Sequence, residues 1–128
     1  MQQQANTSHH VRFGRLAPTI PVADMPRAIA FYESVLGFRK TFENGDPVGF
    51  AILKKDAAEL HLILDSGHKP SARNLAHLMV EDAAALHAHL EGHAVRIIKA
   101  LRDADFGLRC FVFADPDGNR IDVGQAIV

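Results

Sequence analysis

The chain has 128 residues, 48% of them hydrophobic and 23% charged, with a formal net charge of -1. That size suits one compact domain, or two small halves sharing a core. A balance so close to neutral supplies no long-range field for nucleic acid or an anionic membrane, so neither is expected as a partner. Cys110 is the only cysteine. An intrachain disulfide is therefore excluded, and a reducing, cytoplasmic setting is expected.

No apolar run approaches the roughly 20 residues of a membrane-spanning helix. Residues 1–10 are polar and lack the apolar centre of a secretory signal. Residues 1–14 read as a flexible tail, with His9 and His10 as a loose pair and not a metal site. The domain is expected over 15–128.

Residues 16–22 form a short apolar stretch interrupted by Pro18 and Pro21, which predicts an edge strand or a bulged one. Asp24 suits a helix N-cap, with Pro26 in the first turn. Ala28, Phe31, Tyr32, Val35 and Leu36 follow at helical spacing, and Gly37 can close the helix. Strands are predicted over 38–43, 48–53 and 59–64, separated by turns at 44–47 and 54–57. Residues 15–65 thus read as a βαβββ module.

Residues 65–73 are polar and carry Gly67 and Pro70, as a connector would. The plan then repeats over 74–126. A strand is predicted over 75–80, an N-cap at Asp82, and a helix with Ala83, Leu86, His87 and Leu90 on one face, ended by Gly92. Strands follow over 95–100, 108–114 and 121–126. Asp115-Pro116-Asp117-Gly118-Asn119 makes the turn between the last two, because Asp-Gly accommodates positive φ. Val22-Ala23-Asp24 opens the first helix as Val80-Glu81-Asp82 opens the second, so the chain reads as an internal duplication.

Two segments carry a resemblance. One is Ile20-Pro21-Val22-Ala23-Asp24 with Ala30-Phe31-Tyr32-Glu33-Ser34-Val35-Leu36-Gly37-Phe38. The other is Phe111-Val112-Phe113-Ala114-Asp115-Pro116-Asp117-Gly118-Asn119-Arg120-Ile121. In this order they resemble the vicinal oxygen chelate superfamily, which includes glyoxalase I, bleomycin resistance proteins and extradiol dioxygenases. The resemblance implies an α+β fold in which two βαβββ modules form a curled mixed-sheet cup, with the helices on its convex side.

Side chains alternate along a strand, so the expected cavity side can be read position by position. Leu60, Leu62 and Leu64 suit the helix side, which leaves Glu59, His61 and Ile63 facing the cavity. Ile121 and Val123 likewise leave Arg120, Asp122 and Gly124. Leu75, His77 and Met79 are assigned inward, as are Arg109, Phe111 and Phe113. Cys110 alternates with that last set and reads as a small buried hydrophobe. His87, His89 and His93 read as a solvated helix face.

Metal-dependent relatives place one ligand on the first strand and one on the last strand of each module. Carried over, the resemblance points to Ala17, Glu59, Leu75 and Asp122. Ala17 and Leu75 cannot bind a metal, which argues against glyoxalase I and dioxygenase activity. A shifted set of Glu59, His61, His77 and Asp122 has suitable donor types, but a two-residue step moves a side chain about 6–7 Å. The alternative is that these groups hold ligand or water in a wet cavity.

The leading expectation is a small-molecule-binding homodimer resembling bleomycin resistance proteins, with no metal cofactor. Glu59 and Asp122 would then meet a cationic group, and Phe111, Phe113 and Phe50 would stack on flat rings. The competing expectation is a metal-dependent lyase, isomerase or dioxygenase using the shifted site. Whether the modules pair within one chain or swap between two is left open by the sequence.

Overall fold

A computed structural model describes residues 10–127 of the chain. His9 and most of the expected tail lie outside the described residues. Residues 10–18 carry no regular secondary structure.

The first module runs β1 (Thr19–Val22), α1 (Met25–Ser34), β2 (Arg39–Asn44), β3 (Phe50–Lys55) and β4 (Ala58–Leu64). The second runs β5 (Asn74–Met79), α2 (Ala83–Gly92), β6 (Arg96–Asp103), β7 (Leu108–Ala114) and β8 (Arg120–Ala126). The two sheets have the same order, β1-β4-β3-β2 and β5-β8-β7-β6. In each, the first strand pairs parallel to the last and the other pairs are antiparallel. The βαβββ duplication and the α+β class are as expected.

Local chemistry explains the helix ends. Asp24 accepts from the Arg27 amide at 3.0 Å, and Asp82 from the Ala85 amide at 3.0 Å, so both N-caps satisfy otherwise orphaned donors. Gly37 closes α1 with φ +80. α2 ends at Gly92 as expected, and the left-handed residue that follows is Ala94, at φ 56. β1 is an edge strand, which tolerates Pro21. It begins at Thr19 and not at Leu16, whose side chain stands out in solvent.

One core runs through both modules. Met25, Ala28 and Tyr32 of α1 pack with Ile20, Leu53 and Leu62, and the same cluster contains Leu90, Phe113 and Val123. Phe31 lies 6.4 Å from Phe113, ring centre to ring centre. The helix-bearing faces of both sheets therefore feed a common interior. The opposite face of each sheet bears no helix and is called its open face here.

Polar contacts also cross the junction. Asn119 donates from Nδ2 to the Pro21 carbonyl at 2.8 Å. Asp117 Oδ1 accepts from the Ala23 amide and from Arg27 Nη2, both at 2.9 Å. His89, on the exposed face of α2 as expected, donates from Nε2 to the Val35 carbonyl at 2.7 Å and so ties α2 to the end of α1. Among the described residues, no helix is long and apolar enough to cross a membrane.

Candidate functional site

Strand register decides which side chains share a face, because directly paired residues point the same way. Leu60 and Leu62 are buried beneath α1, so Glu59, His61 and Ile63 lie on the open face. Their partners on β3 are Lys54, Ile52 and Phe50, and Phe42 of β2 pairs with Ile52. The rings of Phe42 and Phe50 are 6.3 Å apart, and those of Phe50 and His61 are 5.4 Å apart. An aromatic patch thus occupies the open face of the first module.

In the second module Ile121 and Val123 are buried, so Asp122 and Gly124 take the open face. Asp122 pairs with His77 on β5 and Val112 on β7, and Gly124 pairs with Met79 and Cys110. Gly124 leaves room there: a Cβ at this position would stand 3.2–3.3 Å from Leu108, His77 and Met79.

Arg109, Phe111 and Phe113, expected to point inward with Glu59 and Asp122, do not share the open face with them. They pair with Gln125, Val123 and Ile121 on the helix face. Phe111 is 1% exposed and Phe113 is 0% exposed, so both are packed into the core, where Phe111 borders a pocket of the second module and Phe113 the cleft at the module junction. Arg109 is held by Asp103, with Nε at 2.7 Å and Nη2 at 3.2 Å. The cause lies in β7 itself: Leu-Arg-Cys-Phe-Val-Phe-Ala is apolar at both parities, so alternation carries no sign. With the parity reversed, Cys110 lies half-buried on the open face. His87, expected on a solvated face, sets its ring edge-on against Phe111 at 5.1 Å.

Both candidate carboxylates are already engaged. Glu59 accepts from His61 Nε2 at 2.7 Å and from Arg15 Nε, with Lys54 Nζ at 3.6 Å. The hydrogen bond from His61, aided by Arg15 and Lys54, holds the Glu59 carboxyl below its usual range. Asp122 is bonded to His77 Nδ1 and accepts from Asn74 Nδ2 at 3.3 Å. His77 Nε2 lies 3.0 Å from the Met79 sulfur.

Glu59 and His61 thus form one pair and His77 and Asp122 another. Among the described residues, no three His, Cys, Asp or Glu side chains are grouped to hold a metal ion. Ala17 and Leu75 add no donor. The donor set of a single chain does not fit the divalent metal of the metal-dependent relatives.

A pocket of ≈ 190 Å³ opens on the second module, lined by Asn74, His77, Lys99, Arg102, Phe106 and Cys110 among others. Strand alternation misses Lys99 and Arg102 because β6 is irregular between Ile97 and Lys99 and again between Lys99 and Arg102. Phe106 sits in the turn before β7, where no periodicity applies. A larger cleft of ≈ 370 Å³ lies at the module junction, where Glu59 and His77 share its wall with Leu16, Tyr32 and Met79.

The duplicated βαβββ fold with helix-free sheet faces defines a class. Residues 8–123 match the model of the Glyoxalase/Bleomycin resistance protein/Dioxygenase superfamily, and the chain belongs to that superfamily. It is similar in structure to a bleomycin resistance determinant encoded on transposon Tn5, with TM-score 0.77 and 24% identity over 91% of this chain and 100% of that one. The bleomycin-binding protein of Streptomyces verticillus, in complex with copper(II)-bleomycin, is similar with TM-score 0.73 and 26% identity over 91% and 98%. A superfamily member from Sphaerobacter thermophilus DSM 20745 gives TM-score 0.75 and 26% identity over 88% and 98%. No curated protein matches the chain in sequence.

Proposed function

We propose that this chain is a small-molecule-binding protein that sequesters its ligand without transforming it, and that it does so as a homodimer. One observation carries the reading. Each sheet buries one face against the common core and leaves the other bare, with Phe42, Ile63 and Met79 exposed on it and Phe106 exposed in the turn beside it. Apolar side chains spread over two bare sheet faces call for cover. A second copy supplies it, and grooves between the copies then hold the ligand. The bleomycin-binding protein with the same fold supports a binding role in preference to a catalytic one.

Glu59, His61, His77 and Asp122 remain in this reading as ligand contacts, joined by Phe50 and the pocket residues of the second module. No metal is required, since hydrogen bonds already occupy both carboxylates. The single free thiol, Cys110, suits a reducing compartment, and we place the protein in the cytoplasm.

The test combines sedimentation with a thermal-shift ligand screen on the full chain. A dimer that at least one compound stabilises, with that compound recovered unchanged, is the expected result. A monomer that no compound stabilises, or a compound that returns altered, would overturn the reading. So would metal near one ion per chain after reconstitution, lost in His77→Ala.

A further inference from the structure

We propose that the pocket on the open face of the second module takes a planar organic anion, a carboxylate carried on a flat ring. This deepens the proposed binding role and rests on it.

The charges come first. Lys99 and Arg102 both line the pocket, and neither has an ion-pair or hydrogen-bond partner among the described residues. Four cations elsewhere are held by carboxylates: Arg15 by Glu59, Arg27 by Asp117, Lys40 by Glu43 and Arg109 by Asp103. The pocket's own carboxylate, Asp122, is held by His77 and Asn74. Two unpaired cations against a single carboxylate leave the cavity net positive, which disfavours a cationic ligand.

Backbone geometry makes the pairing deliberate. Residues three apart on a regular strand point to opposite faces. Here Lys99 pairs with Val112 and Arg102 with Cys110, so three steps on β6 span two on β7. The extra residue is a β-bulge, a device that re-aims a side chain. It brings Lys99 and Arg102 into the same pocket.

Shape supplies the ring. Phe106 is 63% exposed at the pocket wall, and Cys110 and Val112 lie along the sheet beneath. A bare aromatic ring above an apolar sheet favours a flat, apolar body. The guanidinium of Arg102 can take both oxygens of a carboxylate, and Lys99 adds a point charge. At ≈ 190 Å³ the pocket is below the usual range of drug-sized sites, so a small fused ring with a single acid group is the right scale.

The test titrates the full chain with 2-naphthoate, 2-naphthamide and 2-naphthamidine, read by naphthalene fluorescence. One skeleton then carries a negative, a neutral and a positive head. Naphthoate should bind about tenfold more tightly than the amide, and the amidine weakest. The double variant Lys99→Gln/Arg102→Gln should lose that preference while keeping its affinity for the amide. Naphthoate should also slow iodoacetamide alkylation of Cys110 in the wild type but not in the double variant. Urea unfolding of the variant checks that it folds. Tighter binding of the amidine, or an unchanged preference in the variant, would overturn the anion assignment and leave the binding role standing. Silence from all three probes would overturn the assignment too, and the thermal-shift screen separately decides whether the binding role falls with it.

Discussion

Tyr32 donates a 2.8 Å hydrogen bond from its phenol to Asp115 Oδ2, and both residues are buried. The bond joins the helix of the first module to the last turn of the second. Asp115 Oδ1 also accepts from the Asp117 and Asn119 amides, each at 2.9 Å, and Oδ2 from Asn119 Nδ2 at 3.1 Å. The two segments that identify the superfamily are therefore in contact, and the turn motif serves as the polar hinge between the modules as well as a turn.

Replacing Tyr32 with Phe removes one donor to a buried carboxylate and should cost about 1–3 kcal/mol. Burial first, and then the charge of Asp115, hold the Tyr32 hydroxyl well above its ordinary value. The folded state thus keeps a proton that the unfolded chain releases near pH 10. This contribution is complete below that pH and is lost as pH rises above it. Urea titrations at pH 8 and at alkaline pH should show the wild type losing stability more steeply than Tyr32→Phe.

Gly118 should resist substitution more than the other turn residues. Its φ is +79, and a Cβ there would stand 2.8 Å from the Cβ and Cγ of Pro70 in the connector. Gly118→Ala combines about 1–2 kcal/mol of left-handed strain with a clash against a rigid ring. Its unfolding midpoint should fall clearly. Gly107→Ala, also at positive φ but with nothing within 4 Å, should show the strain alone.

The reversed parity of β7 makes a sharp contrast. Phe111→Ala opens a cavity in the common core and should cost about 3–5 kcal/mol. Phe42→Ala, on an open face and half-exposed, should leave monomer stability nearly unchanged and instead weaken self-association. Denaturation curves and sedimentation on the two variants separate the effects. Equal destabilisation by both would return Phe111 to a surface role.

Glu59 holds Arg15, and through it the segment before β1. Glu59→Gln should speed amide exchange and proteolysis across residues 10–18. Because the carboxyl sits below its usual range, its stabilising contribution is present above ordinary carboxylate pKa values, about 4.3. It fades as pH falls below them. The wild type should therefore lose protection of this segment in acid, whereas Glu59→Gln, already loosened, should change little.

The sequence by itself determined the order of elements, the duplication, both N-caps, the closing role of Gly37 and the faces of β4 and β8. Each is a local property. Asp24 and Asp82 cap within their own turns, and a strand such as Glu59-Leu60-His61-Leu62 shows its two faces because one is polar and the other apolar. Tertiary structure decided the rest. In β7 both parities are apolar, so only pairing with Ile121 and Val123 assigns Phe111 and Phe113 to the core. In β6 a bulge cancels the alternation that would have separated Lys99 from Arg102. The surroundings a ligand meets are likewise non-local: Arg15 forms an ion pair with Glu59 and His77 a hydrogen bond with Asp122, each far along the chain from the acid it meets, and no reading of the carboxylates alone could supply those partners.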